Sequence, residues 1–305
     1  MGRQKRTHTV QKYHTQTKMN DIYIISTAVL VSASCGLLGV FLILRKMAMV
    51  GDAISHAVLP GIVLAFLFSG SRDSITVLIG AMILGVLASV LIEVIHKKAR
   101  LQEDAAIGVT FTWLFAIGVI LTTLFSRQID LDQDCVLYGE IAYVPLDLWF
   151  LESGVNLGPR ALWIAGGLFI LVVIFVIIGY KGLQITSFNE EFAVSVGISA
   201  MVWHYLLMGM VSAVTVASFE AVGAILVVAL LVGPAASAYL ISKRLPTMFA
   251  LTIVFGILSS VSGYYLAKYL EGSIAGAIAT MTGVWFTISL ILSKIKKPRQ
   301  MAGLE

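Results

Sequence analysis

The chain has 305 residues, 58% of them hydrophobic and only 12% charged, with a mean hydropathy of +0.93. A soluble domain carries about 25% charged residues, so the composition excludes an ordinary water-soluble domain and specifies a multi-pass membrane protein. The formal net charge of +4 is small, and no nucleic-acid partner is expected.

The first eighteen residues, MGRQKRTHTVQKYHTQTK, hold five cations (Arg3, Lys5, Arg6, Lys12 and Lys18) and no acid. They read as a basic, disordered extension ahead of Met19-Asn-Asp. Apolar runs of the length that crosses about 30 Å of hydrocarbon then fall at 22–44, 47–68, 75–95, 105–125, 161–179, 199–217, 220–241, 247–267 and 274–293. No strong turn separates the sixth run from the seventh. A single helix over 199–241, at about 1.5 Å per residue, would be about twice the bilayer thickness. The chain must therefore reverse or re-enter near Ser218–Glu220. The expected architecture is all-α and polytopic, with nine membrane helices, or eight and a re-entrant segment. The membrane domain covers 19–297 and a short tail covers 298–305.

Lys and Arg set the orientation. One set of connections holds Arg45, Lys46, Lys97, Lys98, Arg100, Lys181, Lys243, Arg244, Lys294, Lys296, Lys297 and Arg299, and the other only Arg72, Arg127, Arg160 and Lys268. The first set is the cytoplasmic one, and the C-terminus lies inside. An odd number of spans then puts the basic N-terminal extension outside, which the same rule disfavours. An extension ahead of a start at Met19 reconciles the two. The acidic segment 126–160 is external. Within it, DLDQDCVLYGE has the D-x-D-x-D opening of a calcium loop, but Cys135 replaces the turn glycine and Ile141 the final Glu. A solvated, partner-facing loop is the better reading. Cys35, in an apolar run, and Cys135, in a polar loop, do not form a disulfide framework. Near the end, Gly272, Gly276, Thr280 and Gly283 make a small-residue stripe suited to close helix packing.

Five ionisable side chains lie in the spans: Asp52, His56, Glu93, His204 and Glu220. A carboxylate at mid-bilayer costs about 2.5–3.5 kcal/mol, so such residues usually mark a pathway. Counting from Met47, Asp52 lies about 7 Å and His56 about 13 Å into the span. Residues i and i+4 share a helix face, with Ser55 beside them. Pro60 cannot donate to the carbonyl of His56. A carboxylate, an imidazole, a hydroxyl and a free carbonyl suit Zn, Mn or Fe(II) better than Cu(I). The competing structural reading is a hydrogen bond between Asp52 and His56 that locks two helices. Glu220, at the external start of its run, is a further ligand, a gate residue or an interfacial carboxylate. His204, between Trp203 and Tyr205, reads as an aromatic-belt anchor, and Glu93 as a partner of His96, Lys97 and Lys98. No G-x-x-x-x-G-K-[ST] occurs, so the chain has no P-loop ATPase site and is not expected to be an enzyme. H-E-x-x-H and G-x-S-x-G are also absent.

LRKMAMVGDAISHAVLPG, KKARLQEDAAIGV, SFNEEFAVSVGIS and ASFEAVGAILVVALLVGPAASA occur in that order. Together they resemble the ABC-3 family, the permease subunits of bacterial zinc, manganese and iron ABC importers, over nearly the whole chain from Asp21 to Lys297. The resemblance implies a type II importer fold similar to the vitamin B12 permease and a multi-pass place in the bacterial inner membrane. It implies cytoplasmic ATPase subunits, an external metal-binding protein and a second permease copy or paralogue as partners, with lipid around them. By the same resemblance, Asp52 and His56 are pathway metal ligands. The loop 181–199 would dock on the ATPase through Ser187, Phe188, Glu190, Glu191, Phe192, Ala193 and Gly197. Ser187 or Asn189 can cap a short helix there, and Phe188 and Phe192 sit i,i+4 as knobs. Two departures stand out: Glu220 replaces a usual Gln, and Leu270-Glu271-Gly272-Ser273 replaces a usual Pro-Ser-Gly.

The expected function is therefore an ATP-driven import permease for a divalent transition metal, with the metal as substrate and no permanently bound cofactor. The alternative is an ion-coupled secondary transporter with Asp52 as proton or cation carrier. It would show inverted repeats, which are not visible, and would have no use for a docking loop. An intramembrane metalloenzyme would need a third ligand and a water site. Only Glu220 offers itself, at the wrong depth.

Overall fold

The computed structural model describes residues 2–69, 74–125, 141–150 and 156–296, with side chains from Met19 onward except at a few positions, Glu220 among them. The helices are α1 (Gly2–Leu44), α2 (Val50–Ser69), α3 (Ser74–Ala99), α4 (Glu103–Phe125), α5 (Arg160–Phe188), α6 (Glu190–Ser195), α7 (Ala200–Val222), α8 (Ala224–Ile241), α9 (Leu245–Leu270) and α10 (Ile274–Lys296). Between α4 and α5 lie a 3-10 turn, Ile141–Leu146, and a small antiparallel hairpin of β1 (Leu148–Phe150) and β2 (Asn156–Pro159). Among the described residues, nine helices are long and apolar enough to cross a membrane, all but α6. The protein is a multi-pass membrane protein, as the run lengths require.

The helices form two groups. In one, α1 packs on α5, α8 and α9, and α10 covers α8 and α9. In the other, α3 and α4 flank α2. Helix α7 lies between the groups, against α1, α2, α3, α5 and α8. Lipid offers no hydrophobic drive to bring helices together, so close packing must supply the cohesion. Leu38, Phe41 and Leu42 of α1 are fully buried, and the Phe41 ring meets Phe249 of α9 edge-on at 5.4 Å. A β-carbon on Gly61 of α2 would stand 2.8 Å from the Ala81 Cα of α3 and 3.1 Å from the Gly80 carbonyl oxygen. Those helices touch backbone to backbone. Buried hydroxyls such as Thr110, Thr122, Thr252 and Thr282 donate to carbonyls of their own helices, which satisfies them without water.

Described members of the two expected sets of cations lie at opposite ends. At one end, Arg45 meets Thr186 and Ser187, and Lys97 meets Glu93. At the other, Lys268 and Tyr264 of α9 hold Asp21 of α1 at 2.6 and 2.5 Å. The apolar part of α1 thus begins at the cation-poor end, as an odd number of spans requires.

Several boundaries differ from the sequence expectation. The chain turns at Gly223, three residues beyond the expected Ser218–Glu220: Gly223 takes φ +79°, ends α7 and opens α8. Ser218, Phe219 and Glu220 are ordinary helix residues, whereas a positive φ there needs glycine. Glu220 therefore lies near the end of α7 instead of opening the next span, and its side chain is outside the described part. α2 starts at Val50 instead of Met47. α5 stays helical through Phe188, so Lys181 lies in helix and the loop expected from 181 begins later. The small-residue stripe of α10 is not its packing face. A β-carbon on Gly272 or Gly283 would meet nothing within 4 Å. The close approaches are Ile278 against Gly263 of α9 and Thr282 against Gly233 of α8. The calcium-like loop 130–141 and Cys135 fall almost entirely outside the described residues, with only Ile141 inside. The helical trace of α1 covers 2–18, whose side chains are not described.

Candidate functional site

Helix α2 opens with Val50-Gly-Asp-Ala-Ile-Ser-His. Val50, Ala53 and Ile54 are buried, which fixes one face of α2 against α3, α7 and α8 and turns Asp52 and His56 toward another. His56 Nε2 lies 3.6 Å from Asp52 Oδ1, and the two side chains keep 26% and 36% of their surface. A gap of 3.6 Å is too long for a hydrogen bond. Both residues belong to α2, so the pair does not lock one helix to another.

The imidazole is held instead by α4. Its ring lies 4.7 Å from Phe111, tilted, and 5.2 Å from Phe115, edge-on. One turn further, Pro60 packs under Gly118 of α4, where a β-carbon would come within 2.8 Å of Pro60 Cδ. α2 remains helical past Pro60, so the His56 carbonyl loses its α-helical donor without a break in the helix. Ser55 does not join the pair: it is buried and its Oγ donates to the Gly51 carbonyl at 2.8 Å.

Depth follows from the neighbours. Ile54, between the two ligand candidates, packs with Ser212 around Gly85. A β-carbon added to Gly85 would stand 3.1 Å from Ile54 Cγ2 and 3.0 Å from Ser212 Cβ. Gly85 and Ser212 lie near the midpoints of α3 and α7. The pair is therefore level with the middle of two spanning helices. Among the described residues, no group of three or more His, Cys, Asp or Glu side chains is gathered in one place. One chain offers the pair and its free carbonyl.

The second expected site is the short helix α6. Asn189, not Ser187, is its N-cap: its Oδ1 accepts from the Phe192 amide at 2.9 Å. Gly197 ends the turn at φ +81°. The Ile198 amide reaches the Ala193 carbonyl at 2.8 Å and the Gly197 amide the Val194 carbonyl at 3.0 Å, a Schellman end that needs a left-handed residue. Ala193 is fully buried and anchors α6. Glu190 and Glu191, in its first turn, are exposed. Phe188 is 64% exposed and Phe192 54%. Phe192 on the pinned helix α6 and Phe188 at the end of α5 together make an exposed apolar surface.

Sequence reasoning missed how the cation-rich end is built. Glu93 of α3 does bind Lys97, at 2.5 Å. His204 of α7, expected as a belt anchor, turns inward instead and brings its Nε2 to 4.0 Å from Glu93 Oε2. Arg45, at the end of α1, donates to Thr186 and Ser187 of α5. Burial pulls its guanidinium down to about 10, against the pull of the Glu190 carboxylate, and it stays charged at neutral pH. These groups line a cavity of about 440 Å3 with Lys46, Glu103, Phe188 and Asn189. No sequence spacing signals contacts more than a hundred residues apart.

Comparison with known proteins gives the same placement. The profile of the ABC 3 transport family matches residues 20–293. The manganese transport system membrane protein MntD of Bacillus subtilis is 48% identical over 273 residues, 90% of this chain and 92% of its own length. The zinc transport system membrane protein TroD of Treponema pallidum is 38% identical over 276 residues, covering 88% of this chain and 73% of its own length. The structure of PsaBC from Streptococcus pneumoniae in complex with Fab superposes with a TM-score of 0.71 at 33% identity, over 90% of this chain and 94% of that one. With a profile match over residues 20–293 and relatives similar over about nine-tenths of this chain, the chain belongs to the ABC 3 transport family.

Proposed function

We propose that the chain is the membrane permease subunit of an ATP-driven importer for a divalent transition metal, Mn, Zn or Fe(II), which it receives from an external binding protein. The observation that carries the reading is the Asp52–His56 pair, held level with the middle of the bundle and not bonded to itself. The names of the relatives support the class of cargo. Asp52 contributes a carboxylate oxygen and His56 a ring nitrogen, the donor types that these borderline cations accept. Each chain brings two such donors, so a second copy or a paralogue facing the first would complete four. The ion is cargo, and weak, deformable coordination suits its release.

The exposed Phe192 on the pinned helix α6 and Phe188 at the end of α5 form the contact for cytoplasmic ATPase subunits. Permeases of this family have no ATPase site of their own, and the cation-rich end that carries α6 faces the cytoplasm by the positive-inside rule. Glu220 is kept as a third, lower-ranked pathway residue because it lies near the end of α7. The proposal is tested in proteoliposomes that hold the permease with its ATPase subunits, with metal-loaded binding protein outside. Uptake of Mn(II) or Zn(II) should require ATP inside. Uptake driven by a proton gradient without ATP would establish the secondary transporter instead.

A further inference from the structure

The α1–α2 connection and the docking helix are far apart in sequence and adjacent in space. Arg45 Nε donates to Ser187 Oγ at 3.0 Å, and its terminal nitrogen to Thr186 Oγ1 at 2.8 Å. Both hydroxyls in turn donate to their own helix, Ser187 to the Leu183 carbonyl at 2.6 Å and Thr186 to the Gly182 carbonyl at 2.8 Å. Each hydroxyl therefore has a fixed direction, with its hydrogen toward α5 and its lone pairs toward the guanidinium. A planar fork held at two points resists rotation as well as separation.

Both ends of this bridge lead somewhere. Thr186 and Ser187 lie in the last turn of α5, just before Asn189, which caps α6. Arg45 follows the last residue of α1 and precedes Lys46, whose φ is +63°. Beyond that left-handed residue the chain enters α2, with Asp52 in its first turn. Arg45, Lys46, Phe188 and Glu190 line one cavity of about 440 Å3, so the two ends of the bridge border the same space.

We propose that Arg45 is the positioning residue that transmits movement of the docking helix α6 to the end of α2 that carries Asp52 and His56. The inference rests on the reading of α6 as the ATPase contact. When α6 moves, Thr186 and Ser187 carry Arg45 with them, and Arg45 draws the Lys46–Met49 connection and the start of α2. The ligand pair lies a short way beyond the bridge, on a continuous helix, which transmits displacement along its axis.

The test uses the permease purified with its ATPase subunits and reconstituted with binding protein and Mn(II) or Zn(II). Arg45→Met keeps the stem and removes both donors. It should copurify with the ATPase and keep the basal rate of ATP hydrolysis, while metal moved per ATP falls by about tenfold or more, within the range of site-to-site coupling. Arg45→Lys, with one compact donor, should recover part of the loss. Thr186→Val with Ser187→Ala should give the same loss from the other side. Combined with Arg45→Met it should add nothing, because the partners act as one unit. Wild-type transport per ATP in Arg45→Met, or losses that multiply in the combined variant, would overturn the proposal. If Arg45→Met does not fold, the Thr186 and Ser187 pair decides the matter alone. Failure of the docking reading shows separately: Phe192→Asp would then leave the complex intact and coupled.

Discussion

If Asp52 and His56 hold the same ion, removing either should abolish uptake, and removing both should be no worse. The geometry sets the size of the effect. With Oδ1 and Nε2 3.6 Å apart and metal bonds of about 2.1 Å, an ion between them subtends an angle of about 118°. A tetrahedral angle needs the atoms to close by only about 0.2 Å. The pair is thus close to chelating geometry without rearrangement of α2. Loss of an outer-shell partner alone typically costs about 10–100-fold in metal affinity, so loss of a direct ligand should reduce uptake by about 100-fold or more. Because the His56 ring also packs on Phe111 and Phe115, alanine confounds ligand loss with lost packing. His56→Phe separates them: it retains the ring contacts and removes the nitrogen. Uptake of Mn(II) and Zn(II) is measured in cells matched for membrane expression, alongside the melting midpoint of each purified variant. His56→Phe and Asp52→Ala should melt like the wild type and transport almost nothing, and their combination should match either one. Near-normal uptake in both, or losses that multiply in the combination, would refute the shared-ion reasoning.

Phe192→Asp places a carboxylate on the exposed apolar face of α6 and should abolish copurification of the ATPase with the permease; an intact, active complex would exclude that face as the contact. Gly61→Val should destabilise the protein by about 1–3 kcal/mol, because the added carbons meet the backbone of Gly80 and Ala81; a wild-type melting midpoint would show that α2 and α3 do not touch there. Glu93→Gln removes the charge that holds Lys97 and faces His204. Lys97 is largely exposed, so the expected loss is only about 1 kcal/mol, seen as a small drop in melting midpoint with α6-dependent ATPase binding unchanged.

The legible parts of this protein are those written in local periodicity. The apolar runs of bilayer length each become a helix, and i,i+4 spacing alone puts Asp52 and His56 on one face. The exposed phenylalanines at α6 and the end of α5, and the glycine end of α6, are also local patterns. What was not legible depends on tertiary contact. Ser187 and Asn189 are equivalent capping candidates from sequence, but Ser187 lies inside α5, where its hydroxyl serves the Leu183 carbonyl and Arg45, 142 residues away. His204 reads as a belt residue until α3 is placed beside α7 and Glu93 comes opposite it. The reversal was expected a few residues early because Ser218 and Glu220 look like a break in a hydropathy window, while the backbone turns at Gly223, whose φ of +79° and ψ of 161° are open to glycine.

The incompleteness of the ligand pair bears on how an ion would be released. A transport site that one chain closed alone would have to be dismantled within that chain's packed core, against the close contacts of α2 with α3 and α4. A pair that keeps a quarter to a third of its surface leaves the remaining coordination to something outside the protomer. On the proposed reading that is a second permease chain, and the ion is then held only while two α2 helices stand close together. Separating them by an ångström or two is enough to break coordination at bonds of about 2.1 Å. On the proposed coupling the movement enters at the start of α2, and the buried Val50, Ala53 and Ile54 of that end move with it. That end is the one tied through Arg45 to the docking helix.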